Sequence, residues 1–312
     1  MKIEIVIPPR HGLGTGNSRT ARQWVGVFDA MGHEVAVSEG GDRFEGGLLV
    51  VLHGVKCRPA LVAYREAKPK GKVVLCLTGT DLYGEHGADL LASMAEADRL
   101  VVLQKLGLER VPEEFREKTR VIVQGARRMF RGSGEKRCQV CVVGHLREVK
   151  DPLRAAKAAR LLPEGSKIEV VQVGAILDGK FGELVEREMK ENSRYRWVGE
   201  LSGEDGRKVI AQSRALVISS VMEGGARVLG EAAVEGTPIL SSRIDGVVGL
   251  LGEDYPGYFE VGDTEGLATL LERVETDEGF VEELRAGVLA AAGQFEMERE
   301  AVAWRSLLEE LV

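Results

Sequence analysis

Glu223 and Glu231 stand eight residues apart in SSVMEGGARVLGEAAVEGTPILSS, residues 219–242, with Gly224 and Gly225 directly after the first carboxylate. The pattern reads as a strand ending at Ser219 and Ser220, a glycine turn that lets a ligand approach the backbone, and a helix closing at Gly236 before Pro238. A strand, a glycine turn and a helix N-terminus form an anion cradle. One carboxylate then sits at its mouth and the other two turns along the helix, each able to accept hydrogen bonds from a vicinal diol. The competing reading of the two glutamates is a solvated helix face.

A second cluster lies in VGHLREVKDP, residues 143–152. Arg147 and Lys150 occupy the connection after a strand that ends at Gly144, with Asp151 expected as an N-cap and Pro152 as the first helical residue. Two cations at the carboxyl end of a parallel strand suit a diphosphate, both bound and as a leaving group. Taken singly they would be surface decoration. Beside the glycine–glutamate segment they gain a common purpose.

The elements that must position these residues alternate along the whole chain. Strand-like runs fall at 2–7, 34–38, 48–53, 72–77, 99–103 and 120–123, and again in QVCVVG, IEVVQVG, YRWVG, ALVISS, TPILSS and YFEV. Several, such as LLVVLH and KVVLCL, are apolar throughout, as parallel strands covered on both faces are. Two doubly wound α/β domains are expected, residues 1–133 and 134–295, joined by the charged segment RRMFRGSGEKR. Trp304, Leu307, Leu308 and Leu311 recur at helical spacing, so a final helix over 296–312 carries an apolar stripe expected to cross back to the first domain.

At 312 residues, 44% hydrophobic, the chain has material for two cores, and its net charge of −7 argues against a nucleic-acid partner. KIEIVIP meets Pro8 and Pro9 at once and reads as a first strand rather than a signal peptide. No apolar run is long enough to span a membrane, so a cytoplasmic location is expected. Cys138 and Cys141 lie at i and i+3 of a strand, on opposite faces, which suits buried thiols better than a metal pair.

The E-x7-E segment, the preceding VG-x-L-R-x-x-K and the following GTPILSS resemble the donor site of the retaining GT-B glycosyltransferases of family 4. That resemblance implies two Rossmann-like domains facing across a cleft, with the nucleotide sugar in the C-terminal one. It implies that Gly144, Arg147 and Lys150 meet the donor diphosphate, Glu223 the sugar hydroxyls and Glu231 the ribose. Gly224, Gly225, Ala226 and Arg227 would line phosphate and sugar, and the segment from Val198 to Leu201 the base. The family's usual E-G-F-G is Glu223-Gly224-Gly225-Ala226 in this chain, which leaves room for a different acceptor.

VVGHLREVKDP, VMEGGARVLGEA, LLGEDYPGYFEVGDTEGLA, LCLTGTDLY and the glycine-rich opening loop together are similar to the selenosugar synthases of selenoneine biosynthesis, over nearly the whole chain. This implies a UDP-N-acetylhexosamine such as UDP-GlcNAc as donor, selenophosphate as acceptor, and a carbon–selenium bond at the anomeric carbon with release of UDP.

The acceptor side has its own physical reading. PPRHGLGTGNSRTARQW sets a glycine-rich loop before a helix whose start is marked by Asn17 or Ser18. The N–H groups around Gly14, Thr15, Gly16 and Asn17 would hold a small oxyanion flanked by Arg10 and Arg19, with Thr78, Gly79, Thr80 and Asp81 at the end of another strand. Asp81 also reads as a helix-capping residue. A dinucleotide site is disfavoured, because Asn17 replaces the third glycine of its fingerprint although Glu39 follows the second strand. His53, ending an apolar strand, and His11, in the glycine loop, are each as plausible structurally as on a phosphate. Selenophosphate is already an anion, so no general base is required. No D-x-D stands near a strand end, so Arg147 and Lys150 are expected to do the work of a metal, and no cofactor is expected. The alternatives are a conventional hexosyltransferase with a hydroxyl acceptor, a nucleotide-sugar epimerase and a non-catalytic UDP-sugar sensor.

Overall fold

The computed structural model describes residues 1–9, 16–41, 44–85, 87–130 and 138–312. Among them the contacts divide into two units. The first holds Met1–Gly125, Glu223–Gly225 and Met297–Val312, and the second Ala126–Met222 and Ala226–Glu296.

The first unit is built on β1 (Lys2–Ile7), β2 (Glu34–Glu39), β3 (Leu48–Leu52), β4 (Lys72–Cys76), β5 (Arg99–Val102) and β6 (Thr119–Val121). They form a parallel sheet in the order β2-β1-β3-β4-β5-β6. Alternation along β3 explains why its whole length is apolar. Leu48, Val50 and Leu52 enter the core with Trp24 and Trp304, while Leu49 and Val51 enter the opposite core with Leu61 and Leu75. Burying both faces of a strand is what a parallel sheet demands.

The Met297–Glu309 helix completes the first of these cores. Trp304 packs edge-on against Trp24 and Phe28, with ring centroids 4.7 and 4.9 Å away, and Leu307, Leu308 and Leu311 are buried beside it. Glu300, 1% exposed, accepts hydrogen bonds from Trp24 Nε1 at 2.9 Å, Gln23 Nε2 at 2.5 Å and Gly125 N at 3.0 Å. A buried carboxylate needs such donors to offset its desolvation.

The second unit carries β7 (Gln139–Val143), β8 (Glu169–Val173), β9 (Tyr195–Trp197), β10 (Ala215–Ile218), β11 (Ile239–Ser242) and β12 (Tyr258–Phe259), in the parallel order β12-β11-β10-β7-β8-β9. The strand order reverses between β1 and β3 in one sheet and between β7 and β10 in the other. Such switch points are where open α/β sheets bind ligands, outside the carboxyl ends of the strands.

The change of unit falls at Gly125 and Ala126, ahead of the expected position near Gly134. Long-range hydrogen bonds explain the shift. Ala126 N donates to Phe295 O, Met129 N and Phe130 N donate to the Glu235 carboxylate at 2.7 and 3.2 Å, and Arg207 donates to Arg127 O. Among the described residues no helix is long and apolar enough to cross a membrane, and no group of three or more His, Cys, Asp and Glu is placed to hold a metal ion.

Candidate functional site

In the second unit the chain leaves β7 through Gly144 and is tied at once to the end of β8. Gly144 N donates to Val173 O, and Leu146 N to Ala175 O. Gly174 stands at φ +145°, and a Cβ on it would lie 2.1 Å from Gly144 O, so only glycine fits there. Trp197 Nε1 donates to Gly174 O at 2.8 Å, and Val198 N to Gln172 O at 3.0 Å. Val198 therefore sits at the same edge of the sheet as Gly144, and both Val198 and Leu201 are half-buried.

Arg147 precedes a short 3-10 turn, Glu148–Lys150. The cap differs from the expected one. Asp151 closes that turn at φ +40°, and the following helix starts at Arg154 after Leu153, so Asp151 is not an N-cap and Pro152 is not the first helical residue. Asp151 instead accepts from Arg154 Nε at 2.6 Å, and Arg154 Nη1 reaches Thr264 Oγ1. The extra turn spends the residues that a direct helix start would have used.

The turn is locked to β10. Ser219 Oγ lies 3.1 Å from Lys150 O and 2.9 Å from Asp151 O, and Val221 N donates to Val149 O. The cationic turn and the strand leading to the glycine–glutamate segment thus share one hydrogen-bonded edge at the switch point of this sheet. Arg147 is exposed and Lys150 half-buried. Ser219 makes the joint, a role no spacing rule indicates.

The Arg227–Glu235 helix opens at Ala226, whose side chain offers no cap, and closes at Gly236 in the left-handed region at φ +68°. Glu231 is 6% exposed and accepts from Arg227 Nε at 3.2 Å, one turn earlier. A solvated helix face is therefore excluded for Glu231. GEDYPGYF does structural work: Tyr255 Oη donates to Ile239 O at 2.7 Å and accepts from Ile239 N at 3.1 Å, and a Cβ on Gly257 would lie 2.3 Å from Ile239 O. Burial drives the Tyr255 phenol well above its ordinary pKa.

In the first unit, Glu223–Gly225 packs against the ends of β4 and β5. A Cβ on Gly79 would lie 2.9 Å from Gly224 N, one on Gly224 2.8 Å from Gly79 N, and one on Gly225 2.6 Å from Leu103 Cβ. The glycines of the two turns therefore require each other. Glu223 is half-buried.

Thr78, Gly79 and Thr80 are half-buried, whereas Asp81 is 2% exposed. Its carboxylate accepts from Thr78 N at 2.6 Å, Thr78 Oγ1 at 2.7 Å and Gly54 N at 2.8 Å. Thr78 is the N-cap of the Gly79–Leu82 turn and Asp81, inside it at the third position, is the reciprocal member of the capping box, so Asp81 helps to shape this backbone without being the cap of a following helix. Asn17 and Arg19 are half-buried in a helix already formed at Gly16, so Asn17 and Ser18 lie within its first turn rather than marking its start. Arg10, Gly14 and Thr15 lie outside the described residues, as does His11.

Two parallel, doubly wound units with this strand order define a GT-B fold, and solved structures match it over the full length. Anabaena HepE in complex with UDP and glucose is 16% identical, with a TM-score of 0.77 over 99% of this chain and 100% of that one. Sucrose-phosphate synthase from Thermosynechococcus elongatus is 15% identical, with a TM-score of 0.76 over 99% and 98%. The lipopolysaccharide outer core galactosyltransferase WaaB is 14% identical, with a TM-score of 0.71 over the whole of both chains. The chain belongs to the glycosyl transferases group 1 family, whose model matches residues 125–290.

Proposed function

We propose that this glycosyltransferase is a cytoplasmic enzyme that moves an N-acetylhexosamine from UDP to selenophosphate. The selenium anion attacks the anomeric carbon, the bond from that carbon to the β-phosphate oxygen breaks, and UDP leaves with the electron pair. The phosphoryl group remaining on selenium is then removed with water, leaving a 1-selenosugar. Arg147 and Lys150 neutralise the departing diphosphate in place of a metal ion, as preorganised cations do for a developing oxyanion. Gly144 and the Gly224–Arg227 turn take phosphate and sugar, Glu223 the sugar hydroxyls, Glu231 the ribose, and Val198–Leu201 the base. Gly16, Asn17, Arg19 and Thr78–Thr80 receive the selenophosphate.

The observation that carries the donor half is the locking of the Arg147–Lys150 turn to β10 through Ser219 and Val221, at a sheet switch point. UDP bound to Anabaena HepE supports a UDP-linked donor. The selenium acceptor rests on the likeness of TGTDLY, GEDYPGYF and the opening loop to selenosugar synthases. Purified protein incubated anaerobically with UDP-GlcNAc and selenophosphate is expected to yield a sugar bearing the selenium isotope pattern in mass spectra, with stoichiometric UDP. UDP-GlcNAc left intact, or UDP formed without a selenium-bearing sugar, would overturn the reading.

A further inference from the structure

His53 follows β3 and is almost wholly buried, yet its backbone stands at φ +99°, a region that favours glycine. Non-glycine residues are held there when their surroundings over-determine them, and such positions gather at functional sites. The side chain shows what holds it. His53 Nδ1 lies 3.3 Å from both Val55 N and Lys56 N, and a backbone N–H can only donate, so Nδ1 is an acceptor and carries no proton.

The proton of the neutral ring is therefore on Nε2, which lies 3.1 Å from Thr80 Oγ1. Burial lowers the His53 pKa, against the raising influence of Asp81, and so favours this neutral form. Asp81 Oδ2, 3.8 Å from Nδ1, already accepts from Gly54 N and is no ion-pair partner to a ring nitrogen without a proton. Thr80 Oγ1, accepting from His53, has its own proton left to give, and among the described residues it has no second partner.

We infer that His53 is a positioning residue that fixes the Thr80 hydroxyl as a hydrogen-bond donor toward an oxyanion acceptor substrate. The inference rests on the reading of Thr78–Thr80 as the acceptor edge. A hydroxyl has one proton and rotates to suit its neighbours. Once its lone pair is engaged by His53, it favours a ligand that accepts, such as a phosphate-type oxygen, over one that must donate.

Four variants test this: Thr80→Val, Thr80→Ser, His53→Asn and the Thr80→Val/His53→Asn double. Asparagine tolerates the left-handed backbone but is too short to reach Thr80. With UDP-GlcNAc and selenophosphate, Thr80→Val and His53→Asn should each raise the KM for selenophosphate by about tenfold or more, as expected for a lost hydrogen bond to a charged group. The KM for UDP-GlcNAc should stay within about twofold, and Thr80→Ser, which keeps the hydroxyl, should recover most of the selenophosphate KM lost in Thr80→Val. The double variant should be no worse than Thr80→Val, because the two residues act through one hydroxyl. Additive losses, equal changes in both KM values or an unaffected Thr80→Val would overturn the inference.

Titration of thiophosphate by calorimetry separates this from failure of the proposed reaction. If no selenosugar forms with wild type but thiophosphate binds and loses about tenfold affinity in Thr80→Val and His53→Asn, the reaction is wrong and the positioning role stands. Thiophosphate binding that is absent in wild type, or equal in all variants, overturns the positioning role.

Discussion

The turn after β4 and the turn after β7 both carry the chain away from the carboxyl end of a central strand, but their polar groups are spent differently. In the Thr78–Asp81 turn the charged group is consumed internally: Asp81 is buried and takes three donors from its own unit. In the Arg147–Lys150 turn the backbone is held from outside by Ser219 and Val221, and the Arg147 side chain lies exposed. The first arrangement offers a shaped backbone and hydroxyls, suited to a small ligand that brings its own charge. The second leaves the Arg147 guanidinium exposed beside the switch point of its sheet, which suits the proposed role of meeting a ligand whose charge grows during reaction.

The largest effect is expected at Lys150. Lys150→Ala should reduce turnover by about two orders of magnitude or more, roughly 3 kcal/mol of lost leaving-group stabilisation, with melting temperature little changed. Steady-state kinetics beside a melting curve checks it; near-wild-type turnover would remove Lys150 from the donor site. Asp81→Ala should show the opposite profile, losing about 2–3 kcal/mol of stability because the N–H groups of Thr78 and Gly54 are left without an acceptor. Denaturant titration measures that, and an undiminished midpoint would show that the carboxylate does not shape the turn.

Glu231→Ala should weaken UDP binding about tenfold by calorimetry, the scale of a lost hydrogen bond between a carboxylate and a hydroxyl. Unchanged affinity would leave Glu231 with Arg227 as its whole purpose. The smallest effect concerns pH. Burial lowers the His53 pKa below its ordinary 6.5 despite Asp81, with Lys56 pushing the same way as burial. The unfolded chain then binds the proton more readily than the folded one. Stability from this group is complete above about pH 6.5 and is lost as the pH falls through the lower folded value. His33 is lowered too and acts in the same direction. His53→Asn should therefore flatten part of the fall in melting temperature between about pH 7.5 and about pH 5; an unaltered slope would show that His53 is not the group responsible.

Much of this fold was readable because parallel strands announce themselves. Runs such as LLVVL must be apolar on both faces, and each strand-like run noted in the chain forms a strand. The Trp304 stripe was equally plain, since a helix bearing that many apolar side chains at one spacing must bury them. What resisted reading depends on partners distant in the chain. Asp151 looked like a cap until Arg154 and the 3-10 turn claimed it. The unit boundary looked like the whole charged segment, but Glu235, over a hundred residues later, binds Met129 and Phe130. The mutual need of Gly79 and Gly224, and the positive φ of His53, arise from close approaches that no local pattern encodes. GEDYPGYF, a distinctive string, turned out to clamp β11 through Tyr255.

The helix that brings Trp304 to Trp24 has a consequence for the order of events during synthesis. Residues up to Gly125 emerge first, yet the core they share with Trp304 stays open until residues 297–312 have been made. At roughly 5–20 residues per second, the nascent first unit waits for about ten to forty seconds with Trp24 and Phe28 uncovered. The second unit, whose segments lie between, can pack before the first one closes. A ribosome stalled before the last helix would carry a second unit free to close and a first unit whose core is still open.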